Sequence, residues 1–195
     1  MPNAAARHSV LVRLTHWINL VAFLALVVSG FAILLAHPRL YWGEAGGDGS
    51  PALLELPLPL NLDQSGWGRG LHFLAAWVCV GNGLAYVCAG LLSRHFDTSM
   101  AKYEFAQRIA YLVVIFILSP LVIVSGLAMS PAVNAMIPFA TGLGGHQSAR
   151  TIHFVVACVL VLFILVHVVM VMANGFRTRM RGMITGEFAE EMKSQ

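Results

Sequence analysis

His153 and His167 stand fourteen residues apart in one apolar stretch, IHFVVACVLVLFILVHVVMVMA (152–173), that holds no Asp, Glu, Lys or Arg. Fourteen positions on an α-helix return to nearly the same face and climb about 21 Å. Two imidazoles therefore sit on one side of a membrane-length helix, one near each end. Imidazole is costly in hydrocarbon, so an intramembrane pair points to function and requires partners. His16 and His72 are the other histidines inside apolar runs. Four such side chains are the right ligands for iron held at two depths.

The surroundings are those of a bilayer protein. Hydrophobic residues make up 58% of the 195 and charged residues only 11%, well away from the soluble average. Four runs free of charge are long enough to cross the hydrocarbon. They are LTHWINLVAFLALVVSGFAILL (14–35), LHFLAAWVCVGNGLAYVCAGLL (71–92), IAYLVVIFILSPLVIVSGLAM (109–129) and 152–173. Helices are expected, because backbone groups in lipid must bond within their own segment. The first run is long and lacks a nearby small-residue cleavage site, so it reads as a retained helix and not as a signal peptide. The fold class expected is an all-α integral membrane protein, a four-helix up-and-down bundle forming one domain over 1–195.

Basic residues orient it. With the N-terminus inside, Arg7, Arg13, Arg94, Lys102, Arg108, Arg177, Arg179, Arg181 and Lys193 are cytoplasmic, while Arg39, Arg69 and Arg150 are outside. That asymmetry follows the positive-inside rule and puts both termini in the cytoplasm. The net charge of +3 reports topology and gives no reason to expect nucleic acid. Between the first two spans lies a long periplasmic loop, 36–70, with Glu44, Asp48, Glu55 and Asp63. Its apolar content and prolines predict a short ordered segment on the outer surface, with Tyr41, Trp42 and Trp67 at the interface. The 130–151 connection predicts an interfacial turn.

Helix direction decides which histidines can meet. His16 lies early in the first span and His167 late in the last, both near the inner surface. His72 opens the second span and His153 the last, both near the outer surface. The expected pairs are His16 with His167 and His72 with His153, each a pair of axial ligands for one haem iron. Two filled axial positions suit electron transfer and leave no open site for a substrate. Arg13, Arg69, Arg108 and Arg150 are candidates for the haem propionates. Small residues such as Gly30, Gly81, Gly83, Ala85, Gly90 and Gly126 would admit porphyrin between helices or simply pack helices together. An ion or proton transporter would be expected to carry carboxylates in its spans, and these spans have none. Cys79, Cys88 and Cys158 form no C-x-x-C-H motif, so haem would be non-covalent and the thiols serve packing. His8, His37, His95 and His146 fall outside the spans.

The opening RHSVLVRLTHWINL, with Arg13 and the His16-Trp17 dipeptide, resembles the first helix of bacterial di-haem cytochrome b subunits. That family takes in the gamma subunit of formate dehydrogenase, the b-type cytochrome of Ni-Fe hydrogenase, the thiosulfate reductase cytochrome b subunit and bacterial cytochrome b(561). The resemblance spans nearly the whole chain and includes the final pair in TIHFVVACVLVLFILVHV. It implies an inner-membrane anchor with two haem b groups, His72 and His153 holding the outer one and His16 and His167 the inner. Electrons would pass between the quinone pool and a periplasmic oxidoreductase subunit, molybdenum- or iron-sulfur-containing, or a c-type cytochrome. A quinone site near the inner haem would draw on Arg13, Asn19, Tyr103, Gln107 and Arg108. The long outer loop is more like that of thiosulfate reductase-type subunits, which accompany periplasmic molybdenum enzymes. The alternative is a stand-alone cytochrome b(561)-type quinone reductase with a small diffusible donor.

Overall fold

A computed structural model describes residues 9–47, 49–57, 66–92, 109–110 and 112–186. Three helices are long and apolar enough to cross a membrane: α1 (Val10–Ala36), α2 (Trp67–Leu92) and α6 (His146–Ala173). Each extends past the charge-free run expected from sequence, because Arg13, Arg69 and Arg150 are accommodated in its N-terminal turns. Residues 37 and 38 end α1: a residue before proline is pushed out of the α region, and Pro38 follows His37.

The expected third span is helical but not uniform. A π turn, Val114–Leu118, leads into α3 (Ser119–Ala128). Pro120 explains the widening, since its ring has no N–H and crowds the carbonyl four residues back. The Ser119 amide reaches the Val114 carbonyl instead, and the Ser119 hydroxyl donates to the same oxygen at 2.7 Å. Together the π turn and α3 make an apolar helical stretch, Val114–Ala128, shorter than the three long helices. The turn expected at 130–151 contains two short helices, α4 (Pro131–Met136) and α5 (Phe139–Gly142), before α6. A last helix, α7 (Phe176–Thr185), follows Gly175, whose φ of 90° closes α6 in a left-handed cap.

Two compact units divide the chain: Met1–Gly30, Gly66–Thr98 and Ile164–Gln195 in the first, Phe31–Ser65 and Ser99–Phe163 in the second. In the first, α1 and α2 run antiparallel. The Asn82 amide donates to the Thr15 carbonyl at 2.8 Å, Cys79 Sγ approaches Asn19 Oδ1 at 3.8 Å, and Ser29 meets His72. The start of α1 also meets the end of α7. Arg13 donates to the Ile184 carbonyl at 2.8 Å and the Trp17 indole to the Met183 carbonyl at 3.2 Å. A guanidinium at a helix C-terminus complements the partial negative charge there.

In the second unit the long outer loop is ordered where it is described. Strands β1 (Arg39–Leu40) and β2 (Leu54–Glu55) pair antiparallel, Arg39 opposite Glu55. The loop then caps α6. The Gly43 carbonyl accepts from the amides of Gln147 and Ser148 at 3.0 and 3.2 Å, and Glu44 accepts from the His146 amide at 3.3 Å. These are amides that a helix cannot satisfy by itself. Thr151 donates to the Tyr41 carbonyl at 2.6 Å, and the Gly43 amide donates to Ser148 Oγ at 2.8 Å. Arg150 donates to the His37 carbonyl. The approach is so close that a Cβ on Gly145 would stand 2.4 Å from the Gly43 oxygen.

Small side chains fill most of the buried positions, Ala22, Ser29, Ala32, Ala75, Ser125, Ala128, Ala140, Ser148 and Ala149 among them, with Leu40, Tyr41 and Val156 the larger exceptions. Large apolar ones such as Phe31, Trp77, Leu84, Leu162 and Val169 face outward. That inversion suits lipid, where close helix approach comes from small residues and the outer surface has no reason to be polar. Cys79 is half-buried as expected of a packing thiol, whereas Cys88 and Cys158 are exposed and face out of the protein.

Candidate functional site

His72 and His153 come to rest against the same local structure on different helices. Ser29 and Gly30 lie in VVSGF (27–31) of α1; Ser125 and Gly126 lie in IVSGL (123–127) of α3. Serine in a helix can turn its hydroxyl back onto the preceding turn. Ser29 does so, donating to the Ala25 carbonyl at 2.6 Å, and Ser125 donates to that of Leu121 at 2.7 Å. With its one proton committed there, each hydroxyl meets the imidazole as an acceptor. His72 Nδ1 is 3.0 Å from Ser29 Oγ, and His153 Nδ1 is 3.2 Å from Ser125 Oγ.

A backbone oxygen completes each cradle. His153 Nδ1 is 3.0 Å from the Val122 carbonyl, three residues before Ser125. His72 makes a backbone hydrogen bond at Leu26, three residues before Ser29. A carbonyl can only accept, so Nδ1 of His153 carries the proton and its lone pair falls on Nε2; at His72 the Ser29 oxygen, its own proton given to Ala25, asks for the same tautomer. A metal-ligating histidine commonly has its other nitrogen tied in this way. The following glycine clears space for the ring. A Cβ on Gly30 would lie 3.5 Å from His72 Cε1, and one on Gly126 only 3.3 Å from His153 Cε1.

The first unit also holds the other two histidines. His16 is exposed on α1, edge-on to Trp17 with centroids 5.6 Å apart, and His167 is half-buried on α6. Of the expected propionate contacts, Arg13 is bound to the end of α7 through one nitrogen, while its Nε is buried without a partner among the described residues. Arg69 is exposed in the first turn of α2. Arg150 is engaged at the His37 carbonyl. Asn19 is half-buried beside Cys79. Tyr103, Gln107 and Arg108 lie outside the described residues.

Sequence reasoning did not single out Ser29, Ser125 or Asn82. The repeated Val-Ser-Gly triplets at 28–30 and 124–126 were the available signal.

A membrane-embedded helical protein with histidines braced for ligation is the class these features define. The prokaryotic cytochrome b561 family model matches residues 7–186, and the chain belongs to that family. It is also 30% identical, over 85% of its length and 90% of the relative's, to the putative protein-methionine-sulfoxide reductase subunit YedZ1 of Azospira oryzae. No solved structure matches it. The chain is thus a membrane-integral b-type cytochrome of an electron-transport family, and haem b is the cofactor the family implies.

The two cradles fit that cofactor. Each holds an imidazole in the tautomer that offers Nε2 to iron, beside a glycine that leaves the ring room. When bound, haem supplies reversible one-electron oxidation and reduction of iron. The protein's part there would be to fix ring orientation and to strengthen the ligand through the Nδ1 hydrogen bonds.

Proposed function

We propose that this chain is a four-span, di-haem membrane subunit carrying electrons from the quinone pool to a periplasmic protein-methionine-sulfoxide reductase. The haem part is carried by the twin Ser-His-Gly cradles around His72 and His153. By their depth in the spans these two ligate an outer haem, and His16 with His167 an inner one. Arg13, whose buried Nε has no partner among the described residues, is the leading propionate contact for the inner haem. Arg69, Arg108 and Arg150 are the remaining candidates, and the quinone would bind near Asn19, Tyr103 and Gln107.

The partner is suggested by the relative, whose name makes it a subunit of a methionine-sulfoxide reductase. That chemistry sets a direction. A sulfoxide takes up an electron pair and a pair of protons to give thioether and water, and quinol oxidation releases the same. An inner-membrane location with both termini in the cytoplasm is supported by the basic-residue asymmetry. The contact between the start of α1 and the end of α7 also favours an even number of crossings.

A pyridine haemochrome assay on the purified chain tests the first part: two b haems per polypeptide are expected, and none would end the reading. For the second part, quinol-dependent reduction of a protein methionine sulfoxide should require this chain and a co-purifying periplasmic subunit together. Turnover by the isolated chain with a small diffusible donor would instead identify a stand-alone quinone reductase.

A further inference from the structure

We infer that Ser29 and Ser125 are matched positioning residues, each setting the tautomer and ring orientation of one axial ligand of the outer haem. The inference rests on the reading that His72 and His153 are those ligands.

The geometry points to this in three ways. First, the hydrogen-bond direction at each serine is forced. Ser29 Oγ is 2.6 Å from the Ala25 carbonyl and Ser125 Oγ 2.7 Å from that of Leu121, shorter than either approach to imidazole. The hydroxyl proton goes to the backbone, and the oxygen lone pairs face Nδ1. Second, each serine is fully buried, at 0% exposure, so water cannot take over as acceptor for the ring. Third, the arrangement occurs twice with the same offsets. The serine back-bonds four residues upstream, the carbonyl three upstream completes the cradle, and the glycine one downstream borders Cε1. Helix packing alone needs a small residue at each position. It does not need a hydroxyl aimed at Nδ1 in both.

At His153 two acceptors on one N–H, Ser125 Oγ and the Val122 carbonyl, hold the plane of the imidazole as well as its proton. Bonding to one carbonyl leaves the ring able to swing about that contact; the serine oxygen on the adjacent ridge of the same helix removes the swing. Donation of the Nδ1–H to these oxygens also makes the imidazole a stronger ligand at Nε2, which favours ferric over ferrous iron. Ser29 and Ser125 therefore act on the orientation of their own ligand ring and on the potential of the haem it holds.

The test uses the full chain in detergent with both haems bound. Ser29→Ala and Ser125→Ala each remove one oxygen, while Ser29→Thr and Ser125→Thr keep the hydroxyl. The readouts are the low-spin ferric electron paramagnetic resonance g-values and a redox titration that resolves the two haems. Each alanine variant should shift the g-values of the outer haem and raise its potential, or lose that haem selectively, with the inner haem unchanged. The threonine variants should return the wild-type signature. Unchanged outer-haem signals in both alanine variants overturn the inference, as does an equal disturbance or loss of both haems. His72→Ala and His153→Ala separate the underlying reading. If these leave the outer haem in place, the ligand assignment is wrong; if they remove it while the serine variants shift nothing, only the positioning role is.

Discussion

The side-chain amide of Asn82 donates to the backbone oxygen of Thr15 at 2.8 Å, joining α2 to α1 one residue before His16. A carbonyl inside a helix already accepts from the turn above, so this is an added bond, made where lipid offers no competing donor. Replacing Asn82 by Ala should lower stability in detergent by about 0.5–1.5 kcal/mol, the usual range for an interhelical hydrogen bond in membranes. Because the bond lies beside His16, the haem that the proposed pairing assigns to His16 should loosen more than the other one. Thermal unfolding followed separately at each haem's absorbance checks both statements.

Gly145 is the tightest point of the outer loop's grip on α6. Its φ of 112° is a conformation that other residues adopt only under strain, and a Cβ would stand 2.4 Å from the Gly43 oxygen. Gly145→Ala should therefore cost more than the about 1–3 kcal/mol of backbone strain alone. The Gly43 carbonyl would also leave the amides of Gln147 and Ser148. Faster limited proteolysis within residues 37–57 is the expected sign. Unchanged cleavage would mean that the loop is held by the Tyr41 and Arg150 contacts alone.

The ion pair between Arg39 and Glu55, 3.0 Å apart across the small hairpin, should matter little. Both side chains are substantially exposed, at 46% and 59%, and solvent and salt screen such pairs. Glu55 does raise the pKa of the Arg39 guanidinium, but arginine is charged throughout the working pH range, so no pH dependence follows. Glu55→Gln should leave the thermal midpoint unchanged. A clear drop would show that the hairpin has a neighbour in the membrane-bound protein, such as a docked subunit.

The family and the long apolar helices were legible because charge-free runs and histidine spacing are local properties of a chain. The α-helical period carries His153 and His167 to one face with no knowledge of the fold. What was not legible depends on which helix faces which. Ser29 and Ser125 look like ordinary small residues of membrane helices until a histidine from another helix is set against them. The π turn was foreshadowed only by Pro120, which announces a disturbance but not its form. The capping of α6 by Gly43 and Glu44 joins residues about a hundred positions apart, and no local pattern encodes it.

The two glycines beside the cradles should respond differently to the same substitution. A Cβ on Gly30 would rest 3.5 Å from His72 Cε1, an ordinary contact, whereas one on Gly126 would come within 3.3 Å of His153 Cε1 and 3.5 Å of its Nδ1. The His153 ring must then give by a few tenths of an ångström. It has little freedom to do so, because Nδ1 is held by both Ser125 and the Val122 carbonyl. Gly126→Ala should lengthen one of those bonds and tilt the ring, reducing outer-haem occupancy or shifting its spectrum, while Gly30→Ala stays close to wild type. Haem-to-protein ratios for the two variants decide the matter. An equal response at both positions would show that the His153 ring has slack the hydrogen bonds do not remove, and that glycine is needed at 30 and 126 for helix approach and not for ligand geometry.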